Sequence, residues 1–401
     1  MAGLARGSRR LAVVDAPIIP TIASMVRDNP GCISLGQGVV SYGPPREALE
    51  ALPELMADPQ LHKYQPVAGM PALIDALVRK LQAFNQVRVA KSSRLMVTAG
   101  SNMAFLNAVL AVSEPNDEFI LPLPYYFNQE MAVRMCGCVP VTVACKSDFQ
   151  LDVQAIARAI TPRTRAVVTV SPNNPTGAVY PPEDLRAVNA LCCKHRIYHF
   201  SDEAYECFTY AGARHFSPGS LEGAEEYSLG FYSFSKNFGM ASWRVGYVHY
   251  PDHLHEAMNK VQDTNLICAP VISQLLALEV LRRPTAALTE RVAELDRVRR
   301  EVYRMLDALG PLARYTRTEG AFYIMLGLPP VHDALAFNAF LAREYKVACV
   351  PGFAFGLTDT SRMNYQRLSY GALAPQTVVE GVSRFVAGVR AWYTGASHER
   401  H

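Results

Sequence analysis

No stretch of this 401-residue sequence is apolar for long enough to cross a bilayer, although half of its residues are hydrophobic. An excess of charge of one sign is also missing: 39 basic against 36 acidic residues leave a net charge of +3, so nothing pulls the chain toward nucleic acid or an anionic membrane. There is no CxxC pair of the kind that holds zinc. The nine cysteines (Cys32, Cys136, Cys138, Cys145, Cys192, Cys193, Cys207, Cys268 and Cys349) are odd in number and scattered, which reads as reduced thiols in a cytoplasmic setting. The opening MAGLARGSRRLAVVDAP is basic, but Asp15 and Pro17 interrupt its apolar run before a signal core is reached. Internal repeats and low-complexity tracts are lacking as well, and only the ends, before about Asp15 and after about Thr394, look loose. These absences leave an enzyme or binding protein for small molecules, large enough for two domains.

What is present is an alternation. Between residues 94 and 250, short runs rich in β-branched and aromatic residues are separated by helical patterns, the mark of a mainly parallel sheet between helices. The predicted strands are Arg94–Thr98, Glu118–Leu121, Val139–Ala144, Arg165–Val170, Ile197–Ser201, Ser228–Ser233 and Val245–Tyr250. Beyond Pro284, apolar residues at three- and four-residue steps (Val292, Leu295, Val302, Leu306, Leu309) predict a long connector helix closed by Gly310-Pro311. A smaller α+β domain should follow, holding the segment 320–326, a helix near 333–344, a strand at 347–350 and the RLSYG segment at 367–371. The expected division is an N-terminal arm and small-domain segment (1–45), a large domain (46–283), and a connector with the C-terminal small domain (284–401).

Polar motifs cluster just after predicted strands, where ligands bind in such sheets. In SFSKNFGMASWRVGY, Lys236 stands in a Ser-rich turn with Arg244 eight residues on. A lysine so placed can condense with an aldehyde while hydroxyls and a guanidinium hold a phosphate. Alone, such a lysine would be a solvated surface charge. Gly100-Ser101-Asn102 opens a predicted helix from 103 to 112, so its N–H groups suit a dianion; the plain alternative is a glycine turn with an N-cap serine. Asp202 ends a strand, where it could equally be a turn aspartate, and Tyr205 could be an ordinary half-buried tyrosine. His195 and His199 have the spacing of a helical metal pair, but His199 falls in a predicted strand, which favours a structural role and no metal site. The basic run at 297–300 reads as a solvated helix face.

Taken in order, SLGQG (34–38), YQPVAGMP (64–71), TAGSNMA (98–104), SPNNPTG (171–177), SDEAY (201–205), the Lys236 segment, PGFAFG (351–356) and RLSYG (367–371) resemble the class I/II aminotransferases, the fold type I pyridoxal-phosphate enzymes. The resemblance spans nearly the whole chain. It implies pyridoxal 5′-phosphate bound to Lys236 as a Schiff base, with Lys236 also moving the proton. By the same resemblance Asp202 keeps the pyridine nitrogen protonated, and Asn174 and Tyr205 bond the ring oxygen. The phosphate would be held by Gly100, Ser101, Asn102, Ser233, Ser235 and Arg244. Tyr126, or Tyr125 one register away, would stack on the ring. Arg367 would take the substrate α-carboxylate, with Gly38 leaving room beside it. Tyr64 would reach the neighbouring subunit's cofactor in a homodimer with shared sites. The implied reaction moves the amino group of an L-α-amino acid to a 2-oxo acid.

Other outcomes on the same cofactor, such as elimination, replacement or cyclisation, share these residues, so the alternative of a lyase-like enzyme stays open. A non-catalytic regulator on this fold is disfavoured because Lys236, Asp202 and Arg367 are all present. In an aspartate-specific branch, a lysine meets the distal carboxylate at the position of Asn102. That departure, with Val39, Val40, Ser41, Tyr42, Tyr125 and Tyr126 near the pocket, favours neutral or aromatic substrates over dicarboxylic ones. The resemblance further implies cis bonds at Asn174-Pro175 and Leu123-Pro124.

Overall fold

The computed structural model describes residues 7–8, 10–89, 91–283 and 286–395; Pro284 and the outermost terminal residues lie outside them. Seven strands form the large sheet: β1 (Ser93–Thr98), β2 (Glu118–Leu123), β3 (Val139–Ala144), β4 (Thr164–Val170), β5 (Tyr198–Asp202), β6 (Ser228–Ser233) and β7 (Gly246–Pro251). Their spatial order is β1-β7-β6-β5-β4-β2-β3, and only β7 runs antiparallel to its neighbours. All seven occur where the β-branched and aromatic runs predict them. The middle strands are apolar on both faces because helices cover both; Val167, Val168, Phe200, Leu229 and Phe231 are all buried. On one face the helix Ser101–Val112 sets Phe105 edge-on to Phe200, with ring centroids 5.7 Å apart, and 5.5 Å from Phe231.

The connector helix Ala286–Leu306 is 21 residues, about 32 Å long. It leads to a four-stranded antiparallel sheet in which Tyr323–Leu328 pairs with both Asn364–Ser369 and Arg314–Tyr315. Val350–Pro351 lies on the far side of Asn364–Ser369. The helices Ala334–Glu344 and Pro375–Thr394 pack on this sheet through Phe337, Leu341, Phe385 and Val389. An early segment joins the same unit: Ile33–Ser34 pairs in parallel with Val347–Ala348, and Leu35 enters its core. Among the described residues no helix is long and apolar enough to cross a membrane. All nine cysteines are free.

The backbone departs from expectation at one proline. Leu123-Pro124 is cis as expected, but Asn174-Pro175 is not; the second cis bond is Ser171-Pro172, three residues earlier. SPNNP contains two X-Pro bonds, and the tight turn after Asn173 is closed instead by Gly177 N–H donating to Asn173 O at 2.9 Å and Thr176 N–H to Asn173 Oδ1 at 3.1 Å. His199 is fully buried, its ring bonded to Thr169 Oγ1 at 2.9 Å and Asn189 at 3.2 Å, and burial lowers its pKa to about 4. His195 closes the helix Pro182–His195, so the two histidines sit on different elements.

Candidate active site

Most segments that build the site leave the same edge of the large sheet. Gly100 and Ser101 follow β1, Tyr126 follows β2, Asn174 follows β4, Asp202 ends β5 and Lys236 follows β6. Because β7 is antiparallel, Arg244 reaches that edge by preceding its strand. Together Ser101, Asn102, Tyr126, Asn174, Asp202, Tyr205, Ser233, Ser235, Lys236 and Arg244 line one cavity of about 330 Å³.

One end of this cavity is shaped for an anion. The Ser233 side chain caps the turn by accepting from Ser235 N–H at 3.1 Å, which fixes the loop carrying Lys236. Arg244 donates to Ser235 Oγ at 3.4 Å and to Ala241 O at 2.8 Å. Gly100 has φ +86°, and a Cβ there would overlap the Arg244 guanidinium, so the arginine lies in space that only glycine leaves. The helix starting at Ser101 points its N-terminus at the same place.

At the other end, Asp202 accepts from Gln129 Nε2 at 2.7 Å and from Ala204 N–H at 3.1 Å. Burial pushes its pKa up to about 6 despite these bonds. Between the ends, Lys236 Nζ donates to Gly38 O. Burial first, then the Arg367 and Arg244 charges, bring Lys236 down to about 8 against the opposing pull of Asp202. A group with an anionic end, a reactive carbonyl and a basic ring nitrogen would meet a guanidinium, an amine and a carboxylate in that order, so the residues fit pyridoxal phosphate.

Lys236, Tyr126, Asn174 and Tyr205 are shared with a second cavity of about 280 Å³, lined also by Pro17, Ile19, Gly38, Phe127, Asn128, Tyr323 and Arg367. Arg367 lies in the strand Asn364–Ser369, 1% exposed, its guanidinium 4.6 Å from the Tyr323 ring centre and 4.9 Å from that of Phe355. It donates to Asn174 Oδ1 at 2.8 Å and Gly36 O at 2.7 Å, while its Nε has no partner. Tyr205 lies 2.7 Å from the Tyr323 hydroxyl and receives Asn174 Nδ2 at 3.3 Å.

Tyr126 lines both cavities, whereas Tyr125 turns away to a small void beside Pro124 and Tyr180. A Cβ on Gly38 would lie 2.8 Å from the Tyr323 hydroxyl, so what Gly38 leaves room for within this chain is that hydroxyl. Tyr64 stands outside the group, 79% exposed. Sequence reasoning missed Tyr323 and Gln129. Gln129 carried a usable signal, lying three residues beyond Tyr126 at the start of the helix Phe127–Met135. Tyr323 was legible only as a member of the segment 320–326.

Comparison with known proteins identifies the family. The family described as Aminotransferase class I and II matches residues 30–385. An aromatic aminotransferase, ISS1, of Arabidopsis thaliana is 34% identical, covering 95% of this chain and 96% of that protein. The aspartate/prephenate aminotransferase of Thermus thermophilus is 36% identical over 88% of this chain and 90% of its own. Among solved structures, an aspartate aminotransferase double mutant of Thermus thermophilus superposes with a TM-score of 0.87 at 33% identity, covering 97% of this chain and all of the other. The aromatic aminotransferase of Pyrococcus horikoshii gives 0.84 at 32% identity, covering 92% and 99%. The chain belongs to the class I and II aminotransferases. It is a pyridoxal-phosphate-dependent aminotransferase acting on amino acids and 2-oxo acids.

Proposed function

We propose that Lys236 carries the cofactor covalently and that the enzyme moves the amino group of a neutral or aromatic L-α-amino acid to a 2-oxo acid. One observation carries this reading: a guanidinium-and-hydroxyl cup, a buried carboxylate and a lysine converge on one cavity, which opens at Lys236 into a second cavity holding Arg367. When bound, the cofactor supplies an electron-withdrawing ring that stabilises negative charge at the substrate Cα. Arg244, Ser101, Ser233, Ser235 and the N–H groups after Gly100 hold its phosphate, with Asn102 beside them. Asp202 keeps the ring nitrogen protonated, Asn174 and Tyr205 bond the ring oxygen, and Tyr126 covers the ring. Arg367 orients the substrate through its α-carboxylate, a two-pronged geometry that lysine cannot supply. Lys236 Nζ, displaced by the substrate amine, takes the proton from Cα; a pKa brought down to about 8 leaves a useful fraction neutral near pH 7.

Substrate preference follows from the lining of the second cavity. Among the described residues, its only charged side chains are Lys236 and Arg367, both already engaged, while Pro17, Ile19, Phe127 and Tyr126 present apolar surface. Among the described residues that line it, a second substrate carboxylate would find no further cation.

Lys236→Ala should abolish turnover and the visible absorbance of bound cofactor while the far-UV circular dichroism is unchanged. More than a trace of transamination in this variant would overturn the assignment. With the intact enzyme and an oxo-acid acceptor, a donor panel should release 2-oxo acids fastest from aromatic and neutral amino acids; oxo acid released together with ammonia and without any acceptor would replace transamination with elimination.

A further inference from the structure

We infer that Tyr323 is a positioning residue: its hydroxyl donates to Tyr205 and so turns the Tyr205 proton into the cofactor cavity. The inference rests on the cofactor reading above. The two phenolic oxygens are 2.7 Å apart and both rings are buried, so the pair shares one hydrogen bond whose direction matters. Burial raises the pKa of both, and each keeps its single proton at neutral pH. Asn174 Nδ2 donates to Tyr205 and occupies part of its accepting capacity. If Tyr205 donated to Tyr323, it would have no proton left for the ring oxygen.

Three features set the opposite direction. Among the described residues, Tyr205 is the sole hydrogen-bond partner of the Tyr323 hydroxyl, and Tyr323 lines only the second cavity, while Tyr205 also faces the cofactor cavity. A buried hydroxyl without an acceptor is unfavourable, so the Tyr323 proton belongs on Tyr205. The Arg367 guanidinium lies 4.6 Å from the Tyr323 ring centre and makes that phenol the better donor of the two. Gly38 closes over the Tyr323 hydroxyl: even a methyl group there would sit 2.8 Å from the oxygen, which holds the ring where it meets Tyr205.

A phenol that accepts a hydrogen bond donates a stronger one, because the bonds polarise each other. Tyr323 therefore strengthens the Tyr205 bond to the ring oxygen without touching the cofactor itself. In the holoenzyme, the readout is the pH midpoint at which the visible absorbance of the lysine-bound cofactor changes. Losing a donor to the ring oxygen raises that midpoint, since the oxygen then holds its negative charge less well and retains the shared proton longer.

The test is a double-mutant cycle with Tyr323→Phe, Tyr205→Phe and the pair, each titrated spectroscopically as holoenzyme. Tyr323→Phe should raise the midpoint by about half to one pH unit, less than Tyr205→Phe does. In the Tyr205→Phe background the same change should move it by no more than a tenth of a unit. Gly38→Ala, which displaces the hydroxyl rather than removing it, should shift the midpoint the same way. An unchanged midpoint in Tyr323→Phe with a native unfolding temperature overturns the inference. So does a shift that persists without Tyr205, or an effect confined to KM, which would place Tyr323 on the substrate instead. If the wild-type protein bound pyridoxal phosphate without visible absorbance dependent on Lys236, the cofactor reading itself would fail, a result distinct from these.

Discussion

Asp202 shows what a functional position does to a fold. Its carboxylate is buried, and the rise from the ordinary 3.8 to about 6 corresponds to roughly 3 kcal/mol disfavouring the ionised form in the cofactor-free protein. The folded state thus binds more protons than the unfolded chain between pH 3.8 and about 6, so this group's contribution to stability falls as pH rises through that window. Lys236 acts with the opposite sign: brought down to about 8, it binds fewer protons when folded, and its contribution recovers above that pH. Both groups cost stability at pH 7 until a ligand meets them. Asp202→Asn should therefore stabilise the cofactor-free protein at pH 7 by about 1–3 kcal/mol, with the gain shrinking toward pH 4. Gln129 can turn its amide to suit the new partner, so the hydrogen bond survives. Chemical denaturation at pH 7 and pH 4 checks this, and equal stability of the two proteins at pH 7 would refute it. Turnover of the holoenzyme should fall at the same time, since a neutral amide cannot hold the ring nitrogen's proton.

At the scale of elements, the segment after β5 has two faces. Asp202 and Tyr205 turn toward the cavity, while Glu203 and Glu206 turn into a closed network behind it. Lys80, at the end of the helix Pro71–Lys80, bonds Glu206 and Asn85; Asn85 Nδ2 reaches Glu206 at 2.8 Å and Ser217 at 2.8 Å. His215 meets Glu203 at 2.8 Å, and Asn237, next to Lys236, donates to Glu206 at 3.3 Å. Glu203, Glu206 and His215 are close enough together to suggest a metal site, but the Lys80 ammonium already supplies a cation there. The Glu206 side chain is only 3% exposed, so removing its partner leaves a buried charge. Lys80→Met should destabilise the protein by about 3–5 kcal/mol near neutral pH, and adding Glu206→Gln should reduce that loss, because no buried charge is then left unpaired. Equal losses in the single and the double variant would mean that Lys80 matters for packing alone. None of this network was legible in the sequence, because its members come from four separate stretches (80–85, 203–206, 215–217 and 237) and only the fold brings them together. Strands were legible, since Val139–Ala144 or Thr164–Val170 reveals itself through local composition. So were residues lying in contiguous motifs, such as Ser233, Ser235 and Lys236. Tyr323 was not, because its role depends on meeting Tyr205 across 118 residues.

The whole molecule poses the question of Tyr64. The two cavities that share Lys236 gather Gly38, Tyr126, Asn174, Asp202, Tyr205, Arg244 and Arg367 from one chain, yet Tyr64 is 79% exposed and lines neither. A large aromatic side chain held out in solvent is better used against another surface. We propose that the protein is a twofold homodimer in which Tyr64, leaving its own site unserved, would reach the partner's phosphate cup, so that symmetry would make two identical composite sites. Each would need both chains. Mixing Tyr64→Phe subunits with Lys236→Ala subunits tests this directly. In every heterodimer one site then combines the Lys236→Ala lesion with the partner's Tyr64→Phe lesion, and the other site is built entirely from intact residues. After subunit exchange, activity per molecule should exceed the mean of the two parents, approaching half the wild-type value in the heterodimer fraction. If Tyr64 served its own subunit, the two lesions would fall in different sites and mixing would give only that mean. An enzyme fully active as a monomer, or demonstrated exchange without any gain, would remove the shared site.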